Sequence, residues 1–375
     1  MIYFDNAATT FPKPKEVYNE TMSIYQDLGL NFSRNSSSKS KEASTLKENL
    51  KSNIQQLLSS KGEVILNPSA TFSLNEIIFG LDYSGIKTVY ISPFEHNAVY
   101  RSIKEAQKRY KFDLEIIKFQ EYSLDYEDLE LKFLSKKPDL IICLHASNVF
   151  GNILSIKNIF SKGREYSATT LLDASQTAGL LDFSELSSLC DFIVFAGHKT
   201  LYGPSGIGGY IYNNKNIKLN PLLYGGTGIK SEETDMPKDI PERYESGSPN
   251  LLGIIGLKIS TDWIIATGRD KVLKKEKENY SRLLAVLEEF EWDISIFYPE
   301  NSVGIISITA KNSSPQEIEM MLNDSNVSVR TGMHCSPLAH KHMGTDEKGT
   351  IRFSVSYFNE NSDFEKLEEV FEDIF

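Results

Sequence analysis

Asp191-Phe192-Ile193-Val194-Phe195-Ala196-Gly197-His198-Lys199-Thr200 decides how the rest of the chain is read. An apolar run closes on two small residues, and a His-Lys pair follows at once. Such a run reads as a buried strand whose carboxyl end presents a lysine amine to a pocket. Taken alone, the stretch also fits a surface lysine after a strand. A buried ammonium is costly unless it is neutralised or bonded. Condensation with an aldehyde cofactor relieves that cost and creates a reactive centre.

Working outward, the same pattern recurs. Glu63–Leu66 reads as a strand, and the turn Asn67-Pro68-Ser69-Ala70-Thr71 opens a helix that runs through Leu81. Small and hydroxyl residues at a strand-to-helix turn suit a phosphate, and they equally suit an ordinary helix cap. Lys87–Ser92 is the next strand and ends in Glu95-His96-Asn97, where His96 is either a loop histidine or a pocket residue. Leu114–Ile117 reads as a further strand. Asp139–Leu144 ends in His145-Ala146-Ser147-Asn148, and Ala168–Leu172 ends in Asp173-Ala174-Ser175-Gln176. A carboxylate at the end of an apolar strand is costly unless a cation meets it. Helical patterns separate these strands, from about Glu16, over Ser40–Leu58 and near Tyr126–Leu134. Gly206–Tyr212 completes the series. Alternating strands and helices with polar strand ends indicate an α/β protein with a mostly parallel sheet and a ligand in the crevice at those ends.

Beyond a glycine-rich irregular stretch at 224–249, a long apolar helix starts near Asn250 and a charged one follows over about 270–290. The remainder reads as a smaller α+β unit. Its strands fall near 292–298, 303–310, 327–330 and 350–356, and its helices near 315–323 and 362–375. The division expected is a large domain over 15–255 and a small C-terminal domain over 256–375, with segment 1–14 packing near the latter.

The chain has 375 residues and a formal net charge of −11. No long basic stretch offers a track for nucleic acid, and no apolar run approaches the length of a membrane span. The N-terminus carries no signal pattern, so a cytoplasmic protein is expected. Cys143, Cys190 and Cys335 have no regular spacing, which argues against a disulfide framework or a metal site.

The pieces suit one chemistry. A pyridine aldehyde phosphate needs an amine, a carboxylate for the ring nitrogen, a flat group against the ring and donors for the phosphate. Lys199, Asp173, His96 and the Ser69–Thr71 turn supply these in turn. The chain then resembles the class V aminotransferase group of fold type I pyridoxal-phosphate enzymes, and within it the cysteine desulfurase and selenocysteine lyase branch. The resemblance rests on DNAATT at 5–10, SAT at 69–71, EHN at 95–97, SNVFG at 147–151, DASQTAG at 173–179 and GHKTLYGPSGIGG at 197–209. GGTG at 225–228, RYESGSPN at 243–250, RTGMHCSPLAH at 330–340 and RFSVSYFN at 352–359 complete it.

The resemblance implies pyridoxal 5'-phosphate on Lys199, Asp173 at the pyridinium nitrogen and His96 stacked on the ring. It implies Gln176 at the phenolic oxygen, Asn148 near ring and substrate, and Ala70, Thr71 and His198 around the phosphate. Gly226 and Thr227 match a loop that reaches the phosphate of a neighbouring subunit, which implies a homodimer. Arg352 matches the arginine that holds the substrate carboxylate, and Arg330 and Arg34 are expected toward the substrate as well. Cys335 matches the thiol that separates desulfurases from plain aminotransferases. Arg330, His334 and His340 lie close to it in sequence, and positive neighbours favour a thiolate. The activity implied is removal of sulfur from L-cysteine, leaving L-alanine and a Cys335 persulfide that a sulfur-accepting protein or a reductant clears. Selenocysteine lyase, or a class V aminotransferase or lyase on another amino acid, is the alternative. Two positions depart from the pattern. Arg34-Asn35-Ser36-Ser37-Ser38 stands where many relatives carry a histidine, and Ala196 where many carry a serine.

Overall fold

The computed structural model describes residues 1–28, 38–228 and 232–375. Arg34, Ser36 and Ser37 lie outside the described residues. In chain order the first part comprises β1 (Ile2–Tyr3), α1 (Lys15–Leu28), α2 (Ser38–Leu57), β2 (Glu63–Asn67), α3 (Ala70–Gly80), β3 (Thr88–Ile91), α4 (Asn97–Tyr110) and β4 (Asp113–Ile116). A small hairpin, β5 (Phe119–Gln120) and β6 (Ser123–Leu124), leads to α5 (Tyr126–Ser135), β7 (Leu140–Leu144), α6 (Ile156–Glu165), β8 (Thr169–Asp173), β9 (Phe192–Ala196) and β10 (Gly208–Tyr212). Two long helices, α7 (Leu251–Thr267) and α8 (Arg269–Glu288), precede β11 (Ile294–Phe297), β12 (Ile305–Ala310), α9 (Pro315–Asp324), β13 (Val327–Ser328), β14 (Arg330–Gly332), α10 (Pro337–Met343), β15 (Thr350–Ser354) and α11 (Asn361–Ile374).

The larger sheet has seven strands in the order β2-β10-β9-β8-β7-β3-β4. Its strands β3, β7 and β9 are buried throughout, which is why they read as continuous apolar runs rather than alternating ones. Cores lie on both faces. Ile193, Phe195, Leu172 and Cys143 point to one, and Ile142, Leu171, Phe192 and Val194 to the other. Only β10 breaks the parallel arrangement, running antiparallel to both β2 and β9. The link over 197–207 is too short for the crossover that a parallel partner requires. Gly208 and Gly209 let β10 fit: a Cβ on Gly209 would stand 2.1 Å from the Ile65 carbonyl oxygen, and one on Gly208 3.1 Å from the Ala70 amide nitrogen.

The second sheet is antiparallel, β11-β12-β15-β14, with its own core of Ile306, Ile308, Phe353, Leu283 and Phe371. β1 pairs in parallel with β13, so the N-terminus is stitched to this smaller unit. The expected division at 255/256 falls inside α7. That helix is apolar nearly all round and packs as one piece. The chain turns after it at Gly268, whose φ of +91° is a glycine conformation.

Candidate active site

The parallel strands of the larger sheet deliver polar residues to one crevice at their carboxyl ends. A cavity of about 230 Å³ there is lined by Ala70, Thr71, His96, Asn148, Asp173, Gln176, His198, Lys199, Arg330, Cys335 and Arg352. These side chains come from the carboxyl ends of five strands of the larger sheet and from β14, β15 and the turn after β14 in the second, gathered by the topology rather than by sequence proximity.

Lys199 follows β9. Its Nζ has no hydrogen-bond partner among the described residues, and the side chain keeps partial access to the cavity. Desolvation by the surrounding protein lowers its pKa to about 8. Asp173 opposes that shift, and Arg352 and Arg330 add to it. Asp173 closes β8 and is buried. Its Oδ1 accepts from the Ser175 amide at 3.0 Å and the Ser175 hydroxyl at 2.5 Å, while Oδ2 takes no partner among the described residues. His96 caps α4: its Nδ1 accepts from the Ala98 amide at 3.0 Å. The neutral ring therefore carries its proton on Nε2. Burial first, and then Lys199, bring its pKa down to about 4.

At the other end of the cavity Ser69 caps α3 by accepting from the Phe72 amide at 3.1 Å. The Ala70 and Thr71 amides at the helix start, with the dipole behind them, form an anion seat. His198 lies beside it with a buried Nδ1 that has no partner, and burial lowers its pKa to about 4. Ala196 lines the same cavity and contributes no hydroxyl there.

DNAATT, for which sequence pattern alone suggests no role, is a strap across this site. The Thr9 hydroxyl donates to the His198 carbonyl at 3.0 Å and that of Thr10 to the Lys199 carbonyl at 3.1 Å. Asp5 pairs with Arg352 at 2.5 Å. Arg352 is only 1% exposed, and its Nε is buried without a partner. Arg352 and Arg330 stand directly opposite each other on β15 and β14. Like charges in that register repel, and an anion between or beside them relieves the repulsion.

Cys335 is exposed at the cavity rim, with its Sγ 3.9 Å from Arg330 Nη2. Cys143 and Cys190 are buried, and burial drives both thiols well above the ordinary range. The expectation that His334 and His340 add positive charge beside Cys335 does not hold. Both are fully enclosed, desolvation keeps them neutral (His340 to about 4), and they stack on each other with ring centroids 5.6 Å apart. The guanidinium of Arg330 is the cation in contact with the thiol.

Gln176 lines the cavity while donating from Nε2 to the Ala7 carbonyl at 2.9 Å. Gly226 and Thr227 are not brought to this cavity. They line a second one of about 1210 Å³, with Lys47, Glu245 and Asn250. Ser175, Asp5 and Ser336 escape sequence reasoning because each works through another residue.

A family model described as aminotransferase class-V matches residues 2–367. A probable cysteine desulfurase of Pyrococcus abyssi is 30% identical, the match covering 100% of this chain and 94% of that protein. A cysteine desulfurase of Haloferax volcanii is 25% identical over 98% and 88% of the two chains. The apo structure of a cysteine desulfurase from Thermococcus onnurineus superposes with a TM-score of 0.91 at 26% identity, covering 100% of this chain and 94% of that one.

Proposed function

This chain belongs to the class V aminotransferase family, and from that premise we propose that it is a cysteine desulfurase, converting L-cysteine to L-alanine while loading one sulfur on Cys335. The architecture is that of the fold type I pyridoxal-phosphate enzymes, and members of the family use that cofactor. The cavity suits it. Lys199 offers an amine without a partner, Asp173 Oδ2 is open, and the Ala70 and Thr71 amides and His198 Nδ1 await an anion. Bound, pyridoxal phosphate supplies an aldehyde that condenses with amines and a ring that takes up electrons from the carbons of the amino acid.

The chain's own groups do the rest. Arg352 holds the substrate carboxylate, a planar fork meeting a planar anion. His96 fixes the plane of the site with its Nε2–H toward the cavity. Lys199, with its amine lowered to about 8, takes the α-proton as general base and returns it later as acid. Cys335, beside Arg330, attacks the substrate sulfur as thiolate. The Cβ–Sγ bond breaks and its electron pair stays with the carbon skeleton, which is protonated to alanine. The balance is L-cysteine plus thiol to L-alanine plus persulfide, with no outside oxidant. A sulfur-accepting protein or a thiol reductant then clears Cys335.

The observation that carries this reading is one exposed thiol in the same cavity as the lysine and the two arginines. Mass spectrometry after incubation with L-cysteine tests it: one added sulfur on Cys335 and stoichiometric alanine are expected. Cys335→Ala must lose both. Alanine release that persists without the thiol would sink the reading. We propose also that the enzyme is a homodimer, since Gly226 and Thr227, which match a loop that serves a neighbouring subunit in the family, line a cavity apart from the first in their own chain. Sedimentation gives the mass directly.

A further inference from the structure

The turn that carries Cys335 is held against the cavity by bonds that its own sequence does not explain. His334 and Cys335 are consecutive non-glycine residues in the left-handed region, with φ of +46° and +58°. Such a pair persists only where the surroundings hold it. Three hydrogen bonds between the turn's neighbourhood and Asn97 and Asn148, which follow strands β3 and β7 of the larger sheet, do so. The Asn97 amide donates to the Cys335 carbonyl at 2.7 Å, Asn148 Nδ2 donates to the His334 carbonyl at 2.8 Å, and Ser336 Oγ donates to Asn148 Oδ1 at 2.7 Å. Ser336 is completely buried and stands at the N-cap of α10, where a serine ordinarily accepts from its own helix's amides. Here it makes no such cap, and its hydroxyl goes to Asn148 instead. Asn148 in turn accepts from Arg352 Nη1 through its backbone carbonyl at 2.7 Å. Its amide is thus spent on the thiol-bearing turn and its carbonyl on the arginine for the substrate carboxylate.

We infer that Ser336 and Asn148 form a clamp that sets the Cys335 thiol at the cavity in register with Arg352, which makes Ser336 a positioning residue for sulfur transfer. The inference rests on the desulfurase reading for its consequence and on the hydrogen bonds alone for the clamp.

The experiment compares wild-type holoprotein with Ser336→Ala, Ser336→Thr and Asn97→Pro. Asn97→Pro removes the second tether at the first helical position, where proline fits, and keeps the test alive if Ser336→Ala does not fold. Amide hydrogen exchange over 333–336 and iodoacetamide alkylation of Cys335 need no substrate. Deuterium exchange at the α-carbon of L-alanine reads Lys199 and Arg352 without the thiol. Loss of one hydrogen bond should speed alkylation and amide exchange about 2–12-fold. Persulfide formation from L-cysteine should slow by a similar factor, α-deuterium exchange should stay at the wild-type rate, and Ser336→Thr should restore the first three. Alkylation and amide exchange equal to wild type in Ser336→Ala and Asn97→Pro overturn the clamp. So does a loosened turn that still forms persulfide at the wild-type rate. A wild-type protein that forms no persulfide overturns the desulfurase reading instead, and the two substrate-free measurements tell that failure from failure of the clamp.

Discussion

Lys199 shows how one residue's surroundings set its chemistry. With a pKa near 8, about one amine in ten is neutral at pH 7, against about one in three thousand for an ordinary lysine. Uptake of pyridoxal phosphate by stripped protein should therefore rise through pH 7–8 and level off above it, followed by absorbance. A rate still climbing tenfold per unit toward pH 10 would mean that the amine is not desolvated. At Arg352 the fork matters more than the charge. Arg352→Lys keeps a cation but loses the paired donors to a carboxylate and the bond to the Asn148 carbonyl. The expected loss is about 1.5–3 kcal/mol, read as roughly a 10- to 150-fold drop in kcat/KM for L-cysteine, carried mainly by KM. At this scale the sequence exposes residues that chemistry needs and hides those that hold them. Lys199, Asp173 and His96 stand at the ends of apolar runs, where a charged or polar side chain is conspicuous. Asp5 and Ser336 act across 347 and 188 positions of chain, so no local pattern marks their partners, while Ser175 acts on Asp173 only two positions away. His334 and His340 read as cations in sequence because enclosure, which decides their charge, is a tertiary property.

Among elements, the long periodic ones were legible and the short ones were not. α2 lies within two residues of its expected start and end, since it repeats buried positions over several turns. α6 buries Ile156, Ile159, Phe160 and Gly163 at helical spacing, a signal present but easily lost in ten residues. α10 has seven residues and starts on Pro337, too short for any period. The direction of β10 could be inferred only from the length of the preceding link. Its glycines give the prediction at this scale. In Gly209→Ala a Cβ meets the Ile65 carbonyl in the middle of the sheet, and neither strand can yield without losing ladder bonds to β2 or β9. Overpacking of this kind costs about 1–3 kcal/mol, to be read as a lower midpoint in urea at unchanged slope. Gly85→Ala, with open space around it, is the control and should leave the midpoint in place.

The whole molecule binds buried titratable groups into one pH response. Glu76, Glu95 and Glu276 are raised by desolvation to about 7, 8 and 7 from 4.5. Above pH 4.5 the unfolded chain has released protons that the folded chain still holds, so each group lowers stability as pH rises, until its folded pKa is passed. The histidines at 96, 145, 198, 334 and 340 act in the opposite sense. Burial lowers them all, so below 6.5 the unfolded chain binds protons that the folded one refuses, and stability falls as pH falls. Between pH 4.5 and 8, five groups rising against three falling below 6.5 leave cofactor-free protein most stable near pH 6.5, and above 8 Lys13 and Lys199, both lowered to about 8 by burial, reverse the decline. Each group contributes at most about 1.4 kcal/mol per pH unit. From pH 7 to 8 Glu95 is the carboxyl of the three that releases most of its proton, Glu76 and Glu276 being already about half ionised at pH 7. Glu95→Gln keeps an oxygen to accept from the Ser92 hydroxyl and the Leu144 amide and removes the titration. Denaturation midpoints of the variant should accordingly rise relative to those of the wild type over that unit, the other groups contributing equally to both. A variant whose midpoints follow the same slope as those of wild type would show that the Glu95 carboxyl is already ionised in the folded protein.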